Sequence, residues 1–132
     1  MQGFIDILNE QKEFVEIYEC LTNNISPVRA TSTAESQKMH LAFSLCAKLE
    51  RPLIFVAADS LTASFAYKDF QFFYPENEIL EFPEREFIFY DIDAQSNETL
   101  KKRLNTLFSL CFERKNFCVV TTITALCQKI VS

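Results

Sequence analysis

Glycine is almost absent from this chain of 132 residues, and the one glycine, Gly3, lies near the amino terminus. A loop that cradles a phosphate needs glycines, because the backbone must approach the ligand where a Cβ atom would collide with it. The sequence therefore excludes an intact glycine-rich phosphate loop.

Histidine and closely spaced cysteines are also lacking. His40 is the only histidine, and no two of the five cysteines stand at C-x-x-C spacing. A zinc site needs closer ligand pairs, and a Cys–His catalytic pair would have to use His40, which falls inside a predicted helix. We therefore predict no catalytic residue, no metal and no cofactor, and five reduced cysteines that are mostly buried.

Long apolar runs and an excess of positive charge are missing as well. No run approaches the roughly 18 residues of a membrane-spanning helix, and the first residues do not resemble a signal peptide. The net charge of −5 disfavours non-specific binding to nucleic acid, which depends on neutralising phosphates. With 48% hydrophobic and 23% charged residues, the composition is that of a globular domain. The unpaired cysteines and the lack of long apolar runs predict a cytoplasmic protein without a membrane partner.

What the chain does contain is an alternation of helical patterns and apolar runs. We predict helices over 4–21, 32–49, 61–73 and 123–131 and after Ser96, and strands over 53–57, 78–82 and 117–121. The unbroken apolar runs of the first and last strands are typical of parallel strands that are covered on both faces. The sequence thus predicts an α/β domain with three layers and a mainly parallel sheet.

Two helix starts and one buried helix face are predicted in more detail. Ser32 and Glu35 have the spacing of a capping box, and Ser96 is a candidate cap for the helix that follows it. In that later helix an apolar stripe predicts the face that packs on the core: Leu100, Leu104, Leu107 and Cys111.

The segment 83–95 is the least regular and mixes aromatic with charged side chains. Exposed aromatic clusters often mark partner surfaces, so this segment is a candidate interface. Its candidate residues are Glu84, Arg85, Phe87, Tyr90 and Asp91. The alternative is that Phe87, Phe89 and Tyr90 cover the edge of the sheet.

Three stretches resemble the first domain of the UvrB family and, more closely, the UvrB-like amino-terminal module of the bacterial transcription-repair coupling factors. The first is 51–58 with the helix that ends at 72–75. The second is 80–86, which leads to Tyr90 and Asp91 and then to the R-L-x-x-L pattern at 103–107. The third is 112–115 with the strand at 117–122. The resemblance covers about residues 25–132 and implies a UvrB-like domain there. We predict that the helix at residues 1–24 packs on this domain.

The resemblance implies a nucleotide-hydrolase-like (RecA-like) fold whose phosphate loop is degenerate. The loop pattern falls on residues 32–39, where Ser32 and Gln37 replace the two glycines. Lys38 stands at the position of the phosphate lysine, and Met39 replaces the hydroxyl that would bind Mg²⁺. The alternative for Lys38 is a solvated lysine in the first turn of a helix.

The functional implication is a bacterial DNA-repair role without catalysis. In the coupling factors this module mimics UvrB and recruits UvrA in nucleotide excision repair, while the ATP-dependent translocase and the contacts with RNA polymerase and DNA belong to other domains. The tyrosine-rich hairpin of UvrB has no counterpart here, because the interval before residue 100 is short. Two alternatives stay open: a fragment of an active UvrB-like ATPase, and an unrelated α/β domain that binds proteins.

Overall fold

The structure is a computed structural model that describes residues 11–31, 34–75, 78–85, 93–112 and 117–128. It divides into two compact units, Met1–Arg51 and Pro52–Ser132. The predicted boundary near residue 24 stays a prediction.

The described residues of the first unit form two helices, α1 (Lys12–Thr22) and α2 (Glu35–Leu49). Phe14 on α1 is buried, and the Lys48 ammonium of α2 lies 5.5 Å from the centre of its ring and 4.2 Å from that of Tyr18. The segment 25–31 between the helices carries no helix or strand. Of the predicted helix 4–21, residues 12–21 are confirmed and 4–10 lie outside the described residues.

The predicted capping box at Ser32 and Glu35 is wrong about where α2 begins. The helix starts at Glu35 with Ala34 as its cap residue, and the Gln37 side chain accepts the Ala34 N–H at 3.3 Å. Gln37, and not Glu35, is therefore the side chain that closes the first turn. It accepts the Ala34 N–H, a backbone donor that has no partner within the helix.

The second unit is built on a parallel sheet of three strands: β1 (Leu53–Ala57), β2 (Ile79–Phe82) and β3 (Cys118–Thr122). β3 lies in the middle, with Val119 beside Ile54 on one side and Leu80 on the other. The α/β prediction is confirmed, and each predicted strand differs from the observed one by at most one residue at either end.

Helix α3 (Ser60–Phe70) connects β1 to β2, and α4 (Asp93–Phe112) lies between β2 and β3 along the chain. The two connections run in opposite directions across the sheet, so right-handed crossovers place their helices on opposite faces. On one face the Phe70 ring meets Phe55 edge-on at 5.4 Å. On the other, Leu107 packs on a buried cluster of Phe82, Val119 and Ala125.

The short helix α5 (Ile123–Cys127) follows β3 directly. It supplies Ala125 to the cluster on the α4 face of the sheet. The predicted helix 123–131 is confirmed up to Cys127. Gln128 has extended backbone angles, and residues 129–131 lie outside the described residues.

The predicted core stripe of α4 is wrong. The buried positions of this helix are polar, namely Arg103, Thr106 and Ser109, while Leu100, Leu104 and Cys111 are exposed and Leu107 alone is half-buried. The polar positions are stable inside because the sheet edge offers acceptors there: the Thr106 hydroxyl donates to the Glu81 carbonyl at 2.6 Å. Ser96 is also not the cap, since α4 begins three residues earlier, at Asp93.

The prediction of mostly buried cysteines is wrong too. All five thiols are free, but only Cys118 is buried, while Cys20 and Cys46 are half-buried and Cys111 and Cys127 are exposed. The exposure of Cys111 has the same cause as that of Leu104, because both residues lie on the outward face of α4.

Candidate interaction site at the carboxyl edge of the sheet

A cavity of about 320 Å³ lies at the carboxyl ends of β2 and β3, beside the first turn of α3. Its lining includes hydroxyl groups, two carboxylates and one guanidinium: Ser60, Ser64, Thr99, Thr121, Thr122, Glu81, Glu84 and Arg85. In open α/β sheets this edge is where ligands bind, because the loops that follow the strands converge there. We call this cavity the carboxyl-edge site.

Glu84 is held in the carboxyl-edge site by β3. The Thr122 hydroxyl donates to a carboxylate oxygen of Glu84 at 2.6 Å, and the same hydroxyl accepts the Ala125 N–H at 3.1 Å as the cap of α5. One threonine thus closes the helix start and orients the carboxylate.

Arg85 is fixed through its backbone. Its N–H donates to the side-chain oxygen of Gln128 at 2.6 Å, and the Gln128 amide donates back to the Arg85 carbonyl at 3.3 Å. This two-way pairing resembles one rung of a β-ladder, and it joins the loop after β2 to the end of α5.

Arg103 of α4 binds the same loop through its guanidinium group. Its guanidinium donates to the carbonyls of Pro83 at 2.7 Å, Gln128 at 3.1 Å and Ala125 at 3.3 Å. Burial lowers the pKa of Arg103, and the neighbouring charge of Arg85 adds to that effect. An arginine side chain stays protonated in proteins, so a buried cation here binds the carbonyls at the end of α5, where the helix dipole is negative.

Asp59 closes the start of α3 next to the site. Its carboxylate accepts the Thr62 N–H at 2.7 Å, and this backbone hydrogen bond is the main reason why the pKa of Asp59 lies below its ordinary value. The Asp59 carboxylate therefore caps α3, because it accepts one of the N–H groups that have no partner within the helix.

The structure brings together two of the five candidate interface residues, Glu84 and Arg85. Phe87, Tyr90 and Asp91 lie outside the described residues, as does Ser32 of the degenerate loop. The other loop positions belong to the first unit: Gln37 and Lys38 are exposed, and Met39 is buried in α2.

Sequence reasoning missed Arg103, Thr122 and Gln128, which hold the carboxyl-edge site. A signal for Arg103 was available, because an arginine flanked by leucines three and four positions away interrupts an apolar face. Nothing in the sequence distinguished the buried Thr122 or the half-buried Gln128 from the other polar residues of the chain.

The carboxyl-edge site has the chemistry of a polar binding surface. Hydroxyls and carboxylates there can accept or donate hydrogen bonds, but Glu84 is already paired with Thr122. Among the described residues no three His, Cys, Asp or Glu side chains are grouped so that they could hold a metal ion.

A second exposed feature of the same unit is the outward face of α4. Leu100, Leu104, Phe108 and Phe112 are spaced four residues apart and are 37%, 50%, 57% and 72% exposed. The rings of Phe108 and Phe112 lie 4.8 Å apart and form a ridge. Asn97, Lys101 and Asn105 line the shallow groove beside it. We call these four apolar residues the α4 stripe.

The first unit contains a cavity of its own, of about 670 Å³, between α1, α2 and the segment 28–31. Its walls are mainly apolar and include Phe14, Ile17 and Leu41, with His40 and Arg29 among the polar residues.

No helix among the described residues is both long and apolar enough to cross a membrane. Comparison of the chain with protein-family models, with curated proteins and with solved structures gave no match.

Proposed function

We propose that this chain is a non-catalytic protein-interaction domain that acts as a scaffold in a larger assembly. The observation that carries the proposal is the α4 stripe. At about 200 Å² for a large side chain in full exposure, the exposed parts of its four members amount to roughly 400 Å² of apolar surface. A patch of that size is comparable to the largest apolar patch of a typical monomer, and such patches are often functional.

The interior of the same helix supports this role. α4 buries Arg103, Thr106 and Ser109, and of its leucines only Leu107 packs on the core, while Leu100, Leu104 and Leu110 are exposed. An ordinary surface helix buries its apolar residues instead. Because Arg103 and Thr106 have hydrogen-bond acceptors inside, their burial is a stable arrangement, and it leaves the exposed apolar residues available for a second protein.

The identity of the assembly follows from the sequence resemblance alone. On that basis we propose a RecA-like domain with a degenerate phosphate loop, part of the UvrB-like module of a bacterial, cytoplasmic transcription-repair coupling factor. Its partners are then the remaining domains of the parent protein and, through the wider module, UvrA, whereas RNA polymerase and DNA bind to other domains.

The alternative of an active UvrB-like ATPase has less support. Met39 occupies the position of the Mg²⁺-binding hydroxyl, and its thioether is a soft ligand that suits Mg²⁺ poorly. Its side chain is 1% exposed, so it is packed rather than turned toward a ligand. The other alternative, an unrelated α/β domain that binds proteins, shares the α4 stripe with our proposal and differs from it in the partner.

The test compares two changes on α4. In Leu104→Glu/Phe108→Glu the stripe carries two charges, while Asn105→Glu adds a charge to the same exposed helix outside the stripe. Purified UvrA is offered to the 132-residue chain and to the longer parent protein that the resemblance implies. We expect the parent to retain UvrA and the isolated chain to retain little. In a second binding assay the partner is the separately purified remainder of the parent. We expect the double variant to lose this binding and Asn105→Glu to keep it.

Two results would contradict parts of this proposal. Equal binding of the double variant and the wild type to the remainder would remove the α4 stripe as the contact surface. Failure of the parent to retain UvrA would remove the coupling-factor assignment and leave the unrelated binding domain.

A further inference from the structure

We draw no further inference here: the strongest candidate, the cavity of the first unit between α1, α2 and the segment 28–31, carries nothing, because Gln11 and Thr31 in its wall adjoin stretches of the chain outside the described residues and nothing in the structure shows what occupies it.

Discussion

The guanidinium carbon of Arg103 lies 4.0 Å from the centre of the Phe82 ring, and the arginine side chain is fully buried. The cation rests on the face of an aromatic ring at the end of β2, and its nitrogen atoms donate to carbonyls of the loop after β2 and of α5. One side chain of α4 thus connects the two segments that form the carboxyl-edge site.

We expect Arg103→Ala to destabilise the fold by about 3–5 kcal/mol, because it removes the cation–π contact and leaves buried carbonyls without donors. Urea unfolding followed by circular dichroism measures the change. Lys101→Ala, two residues earlier on the exposed face of α4, is the control and should stay within about 0.5 kcal/mol of the wild type. A loss for Arg103→Ala no larger than that of the control would show that the buried arginine contributes nothing.

Glu50→Gly should stabilise the first unit by about 0.5–1 kcal/mol. Glu50 ends α2 with a left-handed φ of 52°, a conformation that glycine adopts without the steric cost of a Cβ atom. Asn24 has a similar φ of 57°, but asparagine tolerates this region better. Asn24→Gly is therefore the matched comparison, and its midpoint in thermal unfolding should rise by less; an equal or larger rise would contradict the argument.

The hydrogen bond at Asp59 makes stability depend on pH in the acid range. The folded-state pKa lies below the ordinary 3.8, so the unfolded chain binds the proton more tightly. The contribution of this carboxylate is therefore fully present above pH 3.8 and is lost as the pH falls through the folded-state pKa.

We expect the difference in urea midpoint between the wild type and Asp59→Asn to shrink as the medium is acidified through this range. Asparagine still caps the helix but carries no charge, so it isolates the ionisation. A difference that stays constant with pH would show that the charge of Asp59 does not matter.

The five thiols should react with an alkylating reagent in the order of their exposure. We expect Cys111 and Cys127 to be modified first in the native protein and the buried Cys118 last. Cys46 should be slow, because burial raises the pKa of its thiol and so lowers its thiolate fraction. Peptide mass mapping over time measures the order, and early modification of Cys118 would contradict the packing of β3.

We expect no measurable binding of Mg·ATP, because the loop at residues 32–39 lacks both glycines and the hydroxyl that would hold Mg²⁺. Isothermal titration tests this directly. Micromolar affinity that disappears in Lys38→Ala would contradict the degenerate loop and favour the ATPase alternative.

The elements of this fold could largely be predicted from local patterns. The apolar runs of β1 and β3 stand out from the polar residues around them, and the apolar residues of α3 recur at helical spacing. These patterns alone predict the alternation of strands and helices and a parallel sheet. The ends of the helices were less predictable, because they depend on which side chain satisfies the first free N–H groups, as Gln37 does for α2.

The orientation of α4 was not predictable in the same way. Its leucines have the spacing of a core stripe, and the rule that apolar faces turn inward holds when the interior offers only apolar contacts. Here the interior offers the carbonyls of Glu81, Pro83 and Ala125, which bind Thr106 and Arg103.

The sequence by itself determined the alternation of strands and helices and the absence of an intact phosphate loop, because both follow from residue types that are close together along the chain. Only the tertiary structure decided which face of α4 is buried and that Glu84 and Arg85 meet Thr122 and Gln128. These depend on hydrogen bonds between residues about 20 to 40 positions apart, and local patterns carry no information about which distant acceptor a side chain will find.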